Sequence, residues 1–162
     1  MNFDENSYEL LGHLKFQIVQ YAGIFEAVIS HLLIHNFKDN ERVLSLQKKI
    51  EYKPVDALSN GTEIKHNGNL VYMCVKSEKK LAWSTNNIRF DEKLKVAQKI
   101  GFVDDGVAKI ISEIYGLRHT IHPEKAVKDD VVFQKEQVRL ASDTMDVFIS
   151  DIKKFFSKSK ET

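Results

Sequence analysis

The sequence predicts a mainly α fold, an antiparallel bundle of four or five helices with a small β-hairpin insertion near residues 62–77. Three observations predict it. Apolar residues recur three and four apart over most of the chain, which is the spacing of one helix face. The seven Gly and two Pro sit mainly where helices would start and stop. One Asn-Gly pair, Asn67-Gly68, lies between two β-prone runs, the signature of a tight hairpin.

Asn6 and Ser7 can cap a first helix that starts near Tyr8 and runs to about Asn36. Its stripe is Leu11, Leu14, Ile18, Ala22, Phe25, Ile29 and Leu32. Asp39-Asn40 opens a second helix from Glu41 to about Tyr52, with Val43, Leu44 and Leu46 apolar and Pro54 closing it. Residues 55–87 form an excursion from the helical body, with strands Thr62–His66 and Asn69–Val75 around the Asn-Gly turn. Phe90 to Ile100 is helical again, stopped by Gly101 as a left-handed cap. Asp104-Asp105 caps the next helix, with Val107, Ile110, Ile114, Leu117 and Ile121 as its seam and an end at about His122, before Pro123. The last helix runs from about Gln134, with Val138, Ala141, Met145, Phe148, Ile152 and Phe155 inward. The reading is one domain over residues 1–162, large enough to bury about 70% of its extended-chain surface.

Charge and cysteine content narrow the function classes. Lys plus Arg is 24 against 23 for Asp plus Glu, so no general basic coat exists, although a local basic site can. Cys74 is the single cysteine, which excludes an intramolecular disulfide and a Cys-based zinc cage. Uninterrupted apolar runs are a few residues long, as at Leu32-Leu33-Ile34, against the roughly 20 of a membrane span. The N-terminal residues are acidic where a secretory signal would be basic. The expectation is a soluble cytoplasmic protein with no membrane partner and no cofactor.

Two positions break the pattern. Glu26 falls on the apolar side of the first helix, between Ala22, Ile29 and Leu33, so it is expected to be structurally paired with an Arg, Lys or Tyr, to lie at an edge, or to position another site group. The run Tyr115-Gly116-Leu117-Arg118-His119-Thr120-Ile121-His122-Pro123 puts Arg118 and His122 four apart, hence on one face bordering the seam. An imidazole that titrates near neutral beside a permanent guanidinium suits attack on, and stabilisation of, a phosphodiester. A helix end carrying Arg and His is also commonplace.

Other groupings carry less. His31 and His35 have metal-binding spacing but no third ligand, so no metal site is expected. Lys48-Lys49, Lys79-Lys80 and Lys153-Lys154 are basic pairs, to be read as solvated faces or as contacts to RNA phosphates. No Gly-rich phosphate loop, nucleophile elbow or DNA-reading motif is present.

The runs Phe90-Asp91-Glu92-Lys93-Leu94, Ile100-Gly101-Phe102-Val103-Asp104 and Leu117-Arg118-His119-Thr120-Ile121-His122-Pro123 resemble the second half of HEPN domains. Tyr21-Ala22-Gly23-Ile24-Phe25-Glu26-Ala27-Val28-Ile29 is similar to the opening helix of that family, where an acidic residue often faces an Arg-Asn-(few)-His motif. The gap between Arg118 and His122 is shorter than usual, and His119 stands where Asn commonly follows the Arg. The resemblance implies an antiparallel bundle that dimerises and brings two motifs into one cleft. It implies a metal-independent endoribonuclease of a defence or toxin–antitoxin system, with Arg118, His119 and His122 catalytic and Glu26 and Tyr115 supporting. It equally admits a catalytically silent module that binds a partner protein, such as an antitoxin or regulator, or a nucleotide.

Overall fold

The computed structural model describes residues 8–54, 65–71, 74–83, 88–119 and 133–158. Helix α1 spans Tyr8–His35, α2 Glu41–Leu46, α3 Phe90–Ile100, α4 Asp105–His119 and α5 Lys135–Lys158. Strands β1 (Lys48–Pro54), β2 (Lys65–His66), β3 (Asn69–Leu70) and β4 (Cys74–Lys80) come between α2 and α3 in the chain. The fold is mainly helical with a small antiparallel β element. It divides into two compact units, residues 1–38 with 89–162, and residues 39–88.

The first unit is built on α1, which packs against α3, α4 and α5, while α4 also packs against α3 and α5. The buried row of α1 is Leu10, Leu14, Ile18, Ala22, Phe25, Ile29 and Leu33. The expected stripe therefore holds in its middle, and at its ends Leu10 and Leu33 replace Leu11 and Leu32. The row advances mostly by four residues, so it drifts around the helix instead of keeping a fixed heptad. Phe25 meets Phe148 of α5 edge-to-face, ring centroids 5.4 Å apart, a geometry worth about 0.5–1.5 kcal/mol beyond area burial.

On α4 the buried row is Val107, Ala108, Ile111 and Ile114, whereas Ile110 and Leu117 are only half-buried. This corrects the expected seam by a rotation toward Ala108, which is 2% accessible, while Ile121 and the expected helix end at His122 lie outside the described residues. On α5 the buried side chains are Ala141, Thr144 and Phe148. Thr144 is tolerated there because its hydroxyl donates to the Leu140 carbonyl at 2.6 Å.

The connections obey local chemistry. Gly101, at φ 99°, is the left-handed cap of α3, and its N–H donates to Ala97 O at 3.1 Å. Asp104 caps α4, its carboxylate accepting from Gly106 N at 2.8 Å. Phe37 stacks on Phe102 with centroids 5.3 Å apart, and Phe155 meets both edge-on.

Among the described residues one helix, Glu9–His35, is long and apolar enough to cross a membrane by length and composition, with a mean hydropathy of 1.4. The expectation from short uninterrupted runs missed this average. Its row Ile18, Phe25, Ile29 and Leu33 is wholly buried in the first unit, while 28% of the apolar window as a whole is buried.

The second unit corrects the sequence reading. The expected helix to Tyr52 stops at Leu46, and Lys48–Pro54 is strand β1. Asn40 caps the short α2 as expected, accepting from Arg42 N at 3.0 Å. Beyond it Ile50 and Tyr52 are two apart, a strand period, and Pro54 disfavours helix at Lys53. β1 pairs antiparallel with β4 from Lys48↔Lys80 to Pro54↔Cys74. Cys74 and Val75, expected in the Asn-Gly hairpin, belong to this ladder instead. The hairpin itself is β2–β3, with His66 opposite Asn69 and both Asn67 (φ 49°) and Gly68 (φ 80°) at positive φ, as a type I′ turn requires.

Candidate functional site

Two helices supply the centre of the site. α1 carries Glu26 on the flank of its buried row, and α4 carries Tyr115 and Arg118 three apart, hence on one face. Arg118 Nη1 donates to Glu26 Oε2 at 2.6 Å, across 92 residues of sequence. The pair is half-buried, with 38% of the Arg118 side chain and 31% of the Glu26 side chain accessible. Glu26 is thus paired as expected but not enclosed. Arg118 Cζ also lies 5.5 Å from the Tyr115 ring centroid, within cation–π range. Behind it the Phe90 ring of α3 meets Tyr115 with centroids 4.3 Å apart.

Burial pushes the Tyr115 hydroxyl above its ordinary pKa, and the Glu26 carboxylate pushes the same way. Arg118 opposes these effects, and Asp91 adds a small push upward. Tyr115 is therefore a neutral phenol at neutral pH beside the Glu26–Arg118 ion pair, and the remaining N–H donors of the guanidinium can orient an anion.

One turn beyond Glu26, Ser30 accepts a hydrogen bond from Lys93 Nζ of α3 at 3.2 Å. Lys93 is 9% accessible, a buried cation whose contact is a hydroxyl. Sequence reasoning missed this pair. The available signal was Lys93 standing on the buried face of α3 between Phe90 and Ala97.

The structure thus brings together Glu26, Tyr115 and Arg118. His119 is the last residue of α4, and His122 lies outside the described residues. His31 and His35 hold their rings 4.3 Å apart on α1. Among the described residues no three His, Cys, Asp or Glu side chains gather as a metal site would need. A shallow cleft of about 400 Å³ between α3 and α4 is lined by Asp91, Lys95, Lys109 and Glu113 among others, apart from the Glu26–Arg118 pair. No protein-family profile, curated protein or solved structure matches this chain.

Proposed function

We propose that this protein is a HEPN-like endoribonuclease that cleaves RNA through side-chain chemistry, in the defence or toxin–antitoxin setting that the resemblance implies. The observation that carries the reading is the Arg118–Glu26 pair, a first-helix carboxylate on the arginine of the motif. Glu26 holds the guanidinium, Arg118 offers its remaining N–H donors to the phosphorane charge, and Tyr115 packs against its face. His122, one turn after Arg118 in sequence, would move the proton at the ribose 2′-oxygen or at the leaving oxygen, with His119 beside it. In this reading two copies pair so that two motifs share one cleft.

The test is digestion of single-stranded RNA in excess EDTA. Cleavage should persist, leave 2′,3′-cyclic phosphate and spare the matching DNA, because the attacking group is the substrate's own 2′-hydroxyl. His122→Ala should lose about 10²–10⁴-fold. Arg118→Lys should also be impaired, because it keeps the charge but not the planar fork. Wild type cutting no better than His122→Ala would sink the nuclease reading. A second reading, a silent module that docks a partner protein, is favoured by one observation: Phe16 and Ile24 of α1 and Val147 and Ile149 of α5 are 42–57% exposed.

A further inference from the structure

The β1–β4 ribbon concentrates charge in a chain that is almost neutral overall. Its fourteen residues include six lysines and two glutamates, against a net charge of +1 for the whole protein. The register sets Lys48 directly opposite Lys80 and Lys49 directly opposite Lys79. Like charges in opposed positions of an antiparallel ladder destabilise it. Two consecutive pairs, one on each face, crowd four ammonium groups at one end of the ribbon. Lys48 has Glu78 at 3.4 Å and Lys49 has Glu51 at 3.8 Å, contacts long enough and exposed enough to contribute little. Among the described residues Lys53, Lys76, Lys79 and Lys80 have no acidic partner.

On the same face as Lys48 and Lys80, Tyr52 stands directly opposite Lys76 and is 66% exposed. The Ile50↔Glu78 pair separates it from Lys48 and Lys80 on that face, and an aromatic ring left in water beside Lys76 does not serve a core. Stacking on a base and neutralising phosphates would satisfy both features at once. The seven paired positions extend over about 20 Å, enough for several nucleotides.

We propose that the β1–β4 ribbon binds single-stranded nucleic acid along the face of Tyr52, with Tyr52 stacking on a base and Lys76 and Lys80 contacting phosphates. The ligand chemistry is a phosphodiester backbone with unpaired bases, as RNA or DNA. The surface shares no residue with the Glu26–Arg118 site and does not depend on the nuclease reading.

The experiment is fluorescence anisotropy of the full chain with a labelled 2′-O-methyl oligouridine of about 12 nucleotides, inside the usual single-strand site size. That probe cannot be cut through its own 2′-oxygen, so binding is read whether or not the protein is a nuclease. The same sequence as DNA, a duplex of equal length and phosphatidylserine vesicles form the other arms. Both single strands should bind, more weakly as salt rises from about 50 to 200 mM. Lys76→Ala/Lys80→Ala should flatten the plot of log K against log salt by about 1.4, from roughly 0.7 per phosphate on a single strand. Tyr52→Ala should weaken binding about 5- to 150-fold and leave the slope alone, while Tyr52→Phe keeps wild-type affinity. The double lysine variant should melt no lower than wild type, because it relieves the opposition of Lys48 and Lys80. No salt-dependent binding, a slope unchanged in the lysine variant, or a duplex bound as tightly as the single strand would each overturn the proposal. Vesicles held through these lysines while both oligonucleotides stay free would overturn it in favour of an anionic membrane surface.

Discussion

Glu26→Ala is the perturbation that measures the site most directly. The Nη1–Oε2 contact of 2.6 Å is a charge-assisted hydrogen bond, of a kind that contributes about 1.5–3 kcal/mol when shielded from water. Ion pairs in full solvent give roughly 0.2–1 kcal/mol. With 31% of Glu26 and 38% of Arg118 accessible, the pair falls between these limits, and the coupling should be about 1–2 kcal/mol. The cost of about 3–5 kcal/mol for breaking a fully buried pair does not apply, because water can reach the partner left behind. At this chain length about 2–4 °C of melting temperature corresponds to each kcal/mol, so Glu26→Ala should melt roughly 2–8 °C below wild type. Glu26→Gln keeps an acceptor and should lose about half as much, since charge assistance roughly doubles such a bond.

The assay is a double-mutant cycle on Glu26→Ala and Arg118→Ala, each of which removes the contact, by thermal and urea unfolding. Coupling should shrink in ~1 M salt, where the screening length of about 3 Å is comparable to the contact itself. A coupling below about 0.3 kcal/mol, the scatter of independent sites, would refute the reasoning and remove Glu26 from the site.

Two further perturbations read the surroundings of that pair. Tyr115 has its folded pKa raised, so its contribution to stability is intact below its unfolded value of about 10 and falls as pH rises through the folded one. Tyr115→Phe should therefore flatten the alkaline limb of the stability curve, while Glu26→Gln should move the Tyr115 titration downward without returning it to normal, because burial is its larger cause. Absorbance titration against Tyr115→Phe reads this, and a Glu26→Gln titration identical to wild type would show that the carboxylate does not act on the phenol. For Lys93, replacement by Met removes both the desolvated ammonium and its need of a partner, so the change should stay within about 1 kcal/mol. Ser30→Ala keeps the cation and removes its hydroxyl, which should cost about 1–3 kcal/mol. Urea unfolding that ranks Lys93→Met as the more damaging would overturn this account of the pair.

How much of the fold was legible in the sequence depended on how far each determinant reaches. Features set within a few residues were read directly: the Gly101 cap, the Asp104 cap, the Asn67-Gly68 turn and the centre of the α1 stripe. β1 was not. Lys48–Pro54 follows a helical pattern closely enough to extend it, and what makes it a strand is pairing with Cys74–Lys80, distant in the chain. Weak intrinsic preference gives way there to a tertiary partner that periodicity does not reveal. The buried row of α4 slipped because Ala108, small and therefore weak in an apolar pattern, is buried while Ile110 and Leu117 are only half-buried.

The site was legible through a single kind of signal, a charge standing on an apolar face. Glu26 gave that signal on α1, and Arg118 gave it more softly on α4 by sharing the side of Ile111 and Ile114. A chain that buries such charges must join them or leave each to bear its own desolvation. The pattern asked for a partner to Glu26 without naming one, and the resemblance set an acidic residue of the first helix facing the Arg118 motif. Lys93 gave the same signal on α3. It was passed over because its partner is a hydroxyl, and serine on a helix face looks like any solvated residue. The test that found Glu26 extends to this case if it asks first which cations an apolar face carries, and only then what stands one turn away on the neighbouring helix.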